Sequence, residues 1–74
     1  MSTTFQNSVI VKRREKMNLS QEALARLLDV SVKTVSNWEI GKSSPTAEYL
    51  PVLADTLETK VSSFYKQEKS NANG

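Results

Sequence analysis

Residues 20–42, SQEALARLLDVSVKTVSNWEIGK, carry the signals of two short helices joined by a tight turn. Ser20 and Ser31 are good N-caps, because a serine oxygen can accept a hydrogen bond from a free backbone N–H at the start of a helix. Gly41 is a good helix stop, since glycine adopts a positive φ without strain. One apolar stripe follows the first cap, with the spacing i, i+3 and i+4 that is typical of a helix: Leu24, Leu27 and Leu28.

The second of these helices, predicted over Val32 to Ile40, has an outer face that suits a polyanion. Two helices joined by about three residues cross at a wide angle, which leaves that face exposed. It begins at the positive end of the helix dipole and carries no acid before Glu39. Its members are short, cationic or hydrogen-bonding side chains: Val32, Lys33, Ser36, Asn37 and, at the edge, Thr34.

This segment resembles the helix-turn-helix of the phage repressor and Cro family, the XRE-like regulators. The matching pieces are SQEALA, the turn through Asp29 to Ser31, and VSNWEIGKSSP, in order and at unbroken spacing. The likeness extends from about Ile10 to Tyr65. It implies an all-α fold, a compact bundle of five short helices of the lambda-repressor-like kind, with the helix-turn-helix at about residues 20–41.

Composition agrees with a small binding domain. With 74 residues, the chain is long enough for one domain that buries about 60% of its unfolded surface. It has no cysteine and no histidine, so the usual nucleophile–base pairs and zinc sites are missing. We therefore expect no enzyme, no catalytic residue, no cofactor and no metal. No apolar run approaches a membrane span, and residues 1–8 do not resemble a signal peptide, so we expect a cytoplasmic protein.

The charge is small and unevenly distributed. The net charge is +2, but residues 12–42 hold seven Lys or Arg against four Asp or Glu, and the remainder holds three against four. Taken alone, this imbalance is equally typical of an ordinary solvated surface. It favours nucleic acid because it coincides with the helix-turn-helix.

The flanking elements are less sharply defined. Thr3 and Gln6 have the spacing of a capping box, which predicts a first helix from near Thr4; Val9–Val11 is β-branched and equally compatible with a strand. A fourth helix is predicted from near Leu50, with Pro51 at its first position. A last short helix is expected over about residues 61–66. Residues 1–67 would form the domain, and 68–74 a polar, disordered tail.

Three positions where the resembled family usually has glycine are occupied here by Asn18, Asp29 and Glu58. Asparagine and aspartate tolerate the left-handed conformation that such positions require. Glu58 is the poorest substitute, and strain or a longer loop is expected there. The predicted core consists of Ile10, Leu19, Leu24, Ala25, Leu28, Val30, Val35, Trp38, Leu50, Leu53, Leu57, Val61 and Phe64.

The candidate base contacts lie on the early exposed face of the second helix: Val32, Lys33, Ser36 and Asn37. Lys33 can donate to guanine, Asn37 can pair with adenine, and Val32 can touch a thymine methyl. For Lys33 and Asn37 the alternative is ordinary solvated surface. Candidate phosphate contacts flank the helix: Ser20, Gln21, Thr34, Lys42, Ser43 and Arg13.

Two of these candidates have structural alternatives. Lys42 can serve as a C-terminal dipole partner, and the stem of Arg13 can simply cover apolar atoms. The resemblance further implies a structural ion pair between Arg14 and Glu39, which would join the first helix to the recognition helix.

The function predicted from these features is sequence-specific binding of double-stranded DNA by a small bacterial or phage transcriptional regulator, repressor-like in type. It would act by occlusion or recruitment at a promoter. Pairing stays open, as a free homodimer, as a dimer formed only on DNA, or as a domain of a longer protein. The alternative from another class is a protein-interaction module, or an antitoxin-type protein, that binds an unknown partner. It would use the helix-turn-helix face or an exposed patch at Phe64 and Tyr65.

Overall fold

The computed structural model describes residues 3–67, and within this range the chain is mainly helical. The helices over Gln21–Leu28 and Val32–Ile40 form the helix-turn-helix, and the helix over Asn7–Lys16 packs against the second of them. Two short strands pair antiparallel, with Thr3 opposite Gln67 and Phe5 opposite Tyr65. The elements in order are β1 (Thr3–Phe5), α1 (Asn7–Lys16), α2 (Gln21–Leu28), α3 (Val32–Ile40), α4 (Leu50–Thr56), a 3₁₀ helix (Val61–Phe64) and β2 (Tyr65–Gln67).

The predicted fold class is confirmed, and the helix-turn-helix has the expected boundaries. Ser20 Oγ accepts from the N–H of Ala23 at 3.0 Å, and Ser31 Oγ accepts from the N–H of Thr34 at 3.1 Å. Each serine thus satisfies one N–H that has no partner within its helix. Gly41 ends α3 with a φ of 80°.

The three expected left-handed positions all have positive φ. The φ angles are 59° at Asn18, 59° at Asp29 and 57° at Glu58. Glu58 follows the end of α4. A non-glycine residue in the left-handed backbone conformation costs about 1–2 kcal/mol relative to the right-handed one. The predicted strain therefore lies in the backbone of Glu58.

The core lies between the helices and matches the predicted set closely. Three predicted members, Leu19, Val30 and Val61, are only partly buried and pack around its edge, together with Phe5, Val9, Met17, Tyr49 and Tyr65. The buried apolar residues are Ile10, Leu24, Ala25, Leu28, Val35, Trp38, Leu50, Leu53, Ala54, Leu57 and Phe64.

The predicted start of the first helix near Thr4 is wrong. Residues 3–5 form β1, and α1 begins at Asn7 without a side-chain cap. The N–H of Gln6 donates to the carbonyl of Phe64 at 2.6 Å. The Phe5 ring stacks on that of Phe64, with ring centres 5.8 Å apart. Residues 3–6 therefore pair and pack with residues near Phe64 instead of forming a first helical turn.

The final predicted helix is shorter than expected, and it is a 3₁₀ helix. It ends at Phe64, and the following residues extend into β2. The expected exposed patch at Phe64 and Tyr65 is wrong for Phe64, which is fully buried in the core. Helix α4 begins at Leu50, as predicted, with Pro51 at its second position instead of its first. The prediction of a disordered tail concerns residues 68–74, which lie outside the described range. In residues 3–67, no helix is long and apolar enough to cross a membrane.

Candidate nucleic-acid interface

The outer face of α3 carries the four side chains predicted to read bases. Val32 and Lys33 are exposed, and Ser36 and Asn37 are half-buried. The opposite face is anchored by Val35 and Trp38, which are buried in the core. Because the inner face is fixed by packing, the outer face is presented in one orientation relative to the domain.

Arg14, Glu39 and Gln21 form a network that holds the three N-terminal helices together. The carboxylate of Glu39 accepts from Arg14 Nε at 2.5 Å and from Arg14 Nη2 at 3.1 Å. It also accepts from Gln21 Nε2 at 2.8 Å, and Arg14 Nη1 donates to the carbonyl of Leu19 at 2.7 Å. The ion pair implied by the resemblance is present, and Gln21 is a third member that the sequence did not indicate.

The network is shielded from water, which strengthens its electrostatics. The Glu39 side chain is 5% exposed and that of Arg14 is 13% exposed. The hydrogen bond that Arg14 donates to Glu39 raises the pKa of the Arg14 guanidinium, against a smaller opposing effect of burial. Arg14 is therefore charged throughout the pH range in which the folded protein can be handled.

The turn after α3 presents two further candidates, Lys42 and Ser43, at the surface. Both of their backbone N–H groups donate to the carbonyl of Asn37, at 2.9 Å for Lys42 and 3.3 Å for Ser43. The exposed Lys42 side chain lies just beyond the C-terminal end of α3, whereas Val32 is at the N-terminal end. Gln21 lies against α3, because its Nε2 donates to the carboxylate of Glu39 at 2.8 Å.

Ser20 and Thr34 have local hydrogen bonds as well as candidate phosphate roles. Ser20 caps α2 through its side-chain oxygen. Thr34 Oγ1 lies 2.9 Å from Ser31 Oγ, in the first turn of α3. Both groups are near helix starts, where free N–H groups favour an anion.

Arg13 is placed away from the other candidates, at the end of α4. Its Nε and Nη2 donate to the carbonyl of Leu57, at 3.1 and 2.9 Å, and Nη2 also donates to the carbonyl of Glu58 at 3.0 Å. These carbonyls belong to the end of a helix, where backbone acceptors lack intrahelical partners. The guanidinium is therefore engaged in capping α4.

Two residues that could affect the surface of α3 were not identified from the sequence, one in α1 and one at the end of α3 itself. Asn7 Nδ2 donates to the carbonyl of Trp38 at 2.6 Å, across 31 positions of sequence. Ile40 is 71% exposed, and it follows Lys33 by seven residues, so both lie on the same side of α3. The exposure of Ile40 could have been anticipated from the helical period, whereas the contact of Asn7 has no local signal.

Within the described residues, no group of three or more His, Cys, Asp or Glu side chains is arranged to hold a metal ion. What the surface offers is a helix face with a cation, an amide, a hydroxyl and a methyl-bearing side chain. These groups can donate to, accept from and pack against base edges.

The sequence model of the helix-turn-helix family matches residues 10–64. The chain belongs to this family. The match covers both helices of the motif, together with most of α1, α4 and the 3₁₀ helix.

Curated relatives in this family include an antitoxin and a phage repressor. The chain is 43% identical over 44 residues to the antitoxin HigA-2 of Vibrio cholerae, which covers 60% of this chain and 42% of that protein. It is 30% identical over 73 residues to repressor protein C2 of Salmonella phage P22, covering 99% of this chain and 34% of that protein. The chain thus spans about a third to two fifths of the length of these relatives.

Solved structures show the same fold. The P22 c2 repressor in complex with a synthetic operator superposes with a TM-score of 0.79 at 28% identity, covering 88% of this chain and 98% of that chain. Hydroxypropylphosphonic acid epoxidase from S. wedmorenis superposes with a TM-score of 0.74 at 30% identity, but the match covers only 32% of that chain. The likeness to the epoxidase therefore concerns a fragment of that enzyme.

Proposed function

We propose that this protein is a transcriptional regulator that binds specific sequences in double-stranded DNA by placing α3 in the major groove. The observation that carries the proposal is the outer face of α3, with Lys33 exposed, Asn37 half-buried and the inner face fixed by Val35 and Trp38. An α-helix fits the major groove, and these side-chain types discriminate bases by hydrogen bonding. The likeness to a repressor solved with its operator supports it.

Roles follow from position. Lys33 reads guanine, Asn37 reads adenine, Val32 packs on a thymine methyl, and Ser36 adds a hydrogen bond. The phosphate contacts come from Ser20, Gln21, Thr34, Lys42 and Ser43, which lie near the helix starts and the exit turn. Arg13 is omitted from this set because its guanidinium caps α4.

The proposal extends to pairing on DNA and to the cellular location. One domain of this size contacts only a few base pairs, so two copies would bind half-sites about 34 Å apart. Regulation would follow from occlusion or recruitment at a promoter, without catalysis, in the cytoplasm where bacterial or phage DNA is transcribed.

Selection of bound duplexes from a random pool tests the proposal. We expect a palindromic or half-site motif, with the half-site spacing reporting the geometry of the pair. Lys33→Ala and Asn37→Ala should each relax the motif at defined positions, with a loss of about 1–3 kcal/mol for the preferred base. Lys60→Ala, at an exposed cation before the 3₁₀ helix, is the control that should leave the motif unchanged. A pool without enrichment contradicts the proposal.

Protein binding is the second candidate function, and the 43% identity with the antitoxin HigA-2 favours it. Such a role would use an exposed surface for a protein partner, with or without DNA binding. Salt separates the two functions. DNA affinity falls with a log–log slope of about −0.9 for each phosphate neutralised, whereas a mainly apolar protein interface has no comparable dependence.

A further inference from the structure

Asn7, the first residue of α1, lies against the turn by which the chain leaves α3. Its Nδ2 donates to the carbonyl of Trp38 at 2.6 Å. Its Oδ1 lies 3.6 Å from the point where a Cβ on Gly41 would stand. Asn7 is therefore hydrogen-bonded to the last turn of α3 and lies beside the glycine that ends it.

The exit turn of α3 also has backbone hydrogen bonds of its own. The N–H of Gly41 reaches the carbonyl of Trp38 at 3.3 Å, which is long for such a bond. The carbonyl of Asn37 accepts from Lys42 at 2.9 Å and from Ser43 at 3.3 Å. Asn7 adds a side-chain hydrogen bond of 2.6 Å to the last turn of α3, and it does so from a different element.

Asn7 is itself held in place by the neighbouring backbone. The N–H of Gln6 donates to the carbonyl of Phe64 at 2.6 Å, and the carbonyl of Gln6 accepts from Val9 at 3.1 Å. The residue before Asn7 is therefore hydrogen-bonded both to the 3₁₀ helix and to α1, which fixes the backbone from which the Asn7 side chain projects. A donor fixed in this way can hold the turn without a large loss of side-chain entropy.

We propose that Asn7 is a positioning residue that fixes the turn after α3, so that the Lys42 side chain and Ser43 reach the DNA backbone while α3 occupies the groove. This inference rests on the proposed function, in which Lys42 and Ser43 contact phosphate. Asn7 itself touches no DNA in this account. It acts through the carbonyl of Trp38 and the adjacent Gly41.

Hydrogen exchange in the free protein tests the positioning without DNA. In Asn7→Ala, the amides of Lys42 and Ser43 should exchange about fivefold faster relative to the core amide of Val35, as expected for the loss of one hydrogen bond. Ser8→Ala, at the next and exposed position, should change neither rate. Asn7→Asp keeps the size of the side chain but removes the Nδ2 donor. The amides of Lys42 and Ser43 should therefore exchange as fast in this variant as in Asn7→Ala. Unchanged exchange in both Asn7 variants overturns the inference.

A double-mutant cycle on the selected duplex tests the consequence for binding. In the parent protein Lys42→Ala should weaken binding severalfold and make the salt dependence shallower by about 0.9. In the Asn7→Ala background, the fold-loss of affinity caused by Lys42→Ala should be less than half of that in the parent protein, because Lys42 is already misplaced. Additive losses overturn the inference while leaving the proposed function standing. A parent protein that does not bind duplex DNA overturns the proposed function, and the inference with it.

Discussion

Glu39→Ala removes the acceptor that joins α1, α2 and α3, and the structure allows its cost to be worked out. The substitution deletes two hydrogen bonds from Arg14 and one from Gln21, and it leaves a guanidinium that is only 13% exposed without its counter-charge. Breaking a buried ion pair from one side costs about 3–5 kcal/mol. Arg14 keeps its bond to the carbonyl of Leu19, and water can enter the vacated space, so we expect about 3 kcal/mol.

That loss is large for a chain of this size. A domain of 74 residues has a free energy of unfolding of about 4–11 kcal/mol. A loss of about 3 kcal/mol should lower Tm by about 12–24 °C, measured by circular dichroism, with a matching shift in the urea midpoint. Glu48→Ala, which removes an exposed carboxylate from the loop before α4, is the control and should stay within about 0.5 kcal/mol.

Two results would refute the reasoning about Glu39. One is a loss below about 1 kcal/mol, which would mean that the network is no stronger than a surface ion pair. The other concerns the double substitution Arg14→Met with Glu39→Leu, which removes both charges. It should be more stable than Glu39→Ala, because no unpaired charge remains buried; equal or greater destabilisation would show that the cost lies in lost packing.

Three further substitutions test other contacts. Glu58→Gly should raise the free energy of unfolding by about 1 kcal/mol, since glycine relieves the positive φ at that position, and an unchanged urea midpoint would contradict this. Arg13→Ala should cost about 1–2 kcal/mol by uncapping α4 and leave the salt slope of DNA binding unchanged; a shallower slope would restore Arg13 as a phosphate contact. Ile40→Lys should leave Tm unchanged, because the side chain is 71% exposed, but should steepen the salt slope by about 0.9; an unaltered slope would place Ile40 away from the DNA backbone.

The sequence was most informative where structure is determined locally. Ser20 and Ser31 mark the starts of α2 and α3, and Gly41 marks the end of α3, because caps and left-handed stops depend on the residue at one position. The positive φ at Asn18 and Glu58 followed from the resemblance to a family that usually has glycine there.

The sequence was least informative where distant segments meet. Strand β1 forms because Phe5 and Gln6 pair and pack with residues near the other end of the chain, and the capping-box pattern at Thr3 could not compete with that. The contact of Arg13 with the end of α4 spans 44 positions. Gln21 was predicted as a phosphate contact, whereas its hydrogen bond to Glu39 depends on how the helices pack.

In the proposed function, the outer face of α3 and its exit turn contact duplex DNA. The most direct measurement is a titration of isotope-labelled protein with the selected duplex, following the backbone amide chemical shifts. We expect the largest changes at Val32, Lys33, Ser36, Asn37, Lys42 and Ser43, and small changes in α4 and in the strands. Changes centred on α4 or on the β1–β2 sheet, with α3 unaffected, would contradict the account.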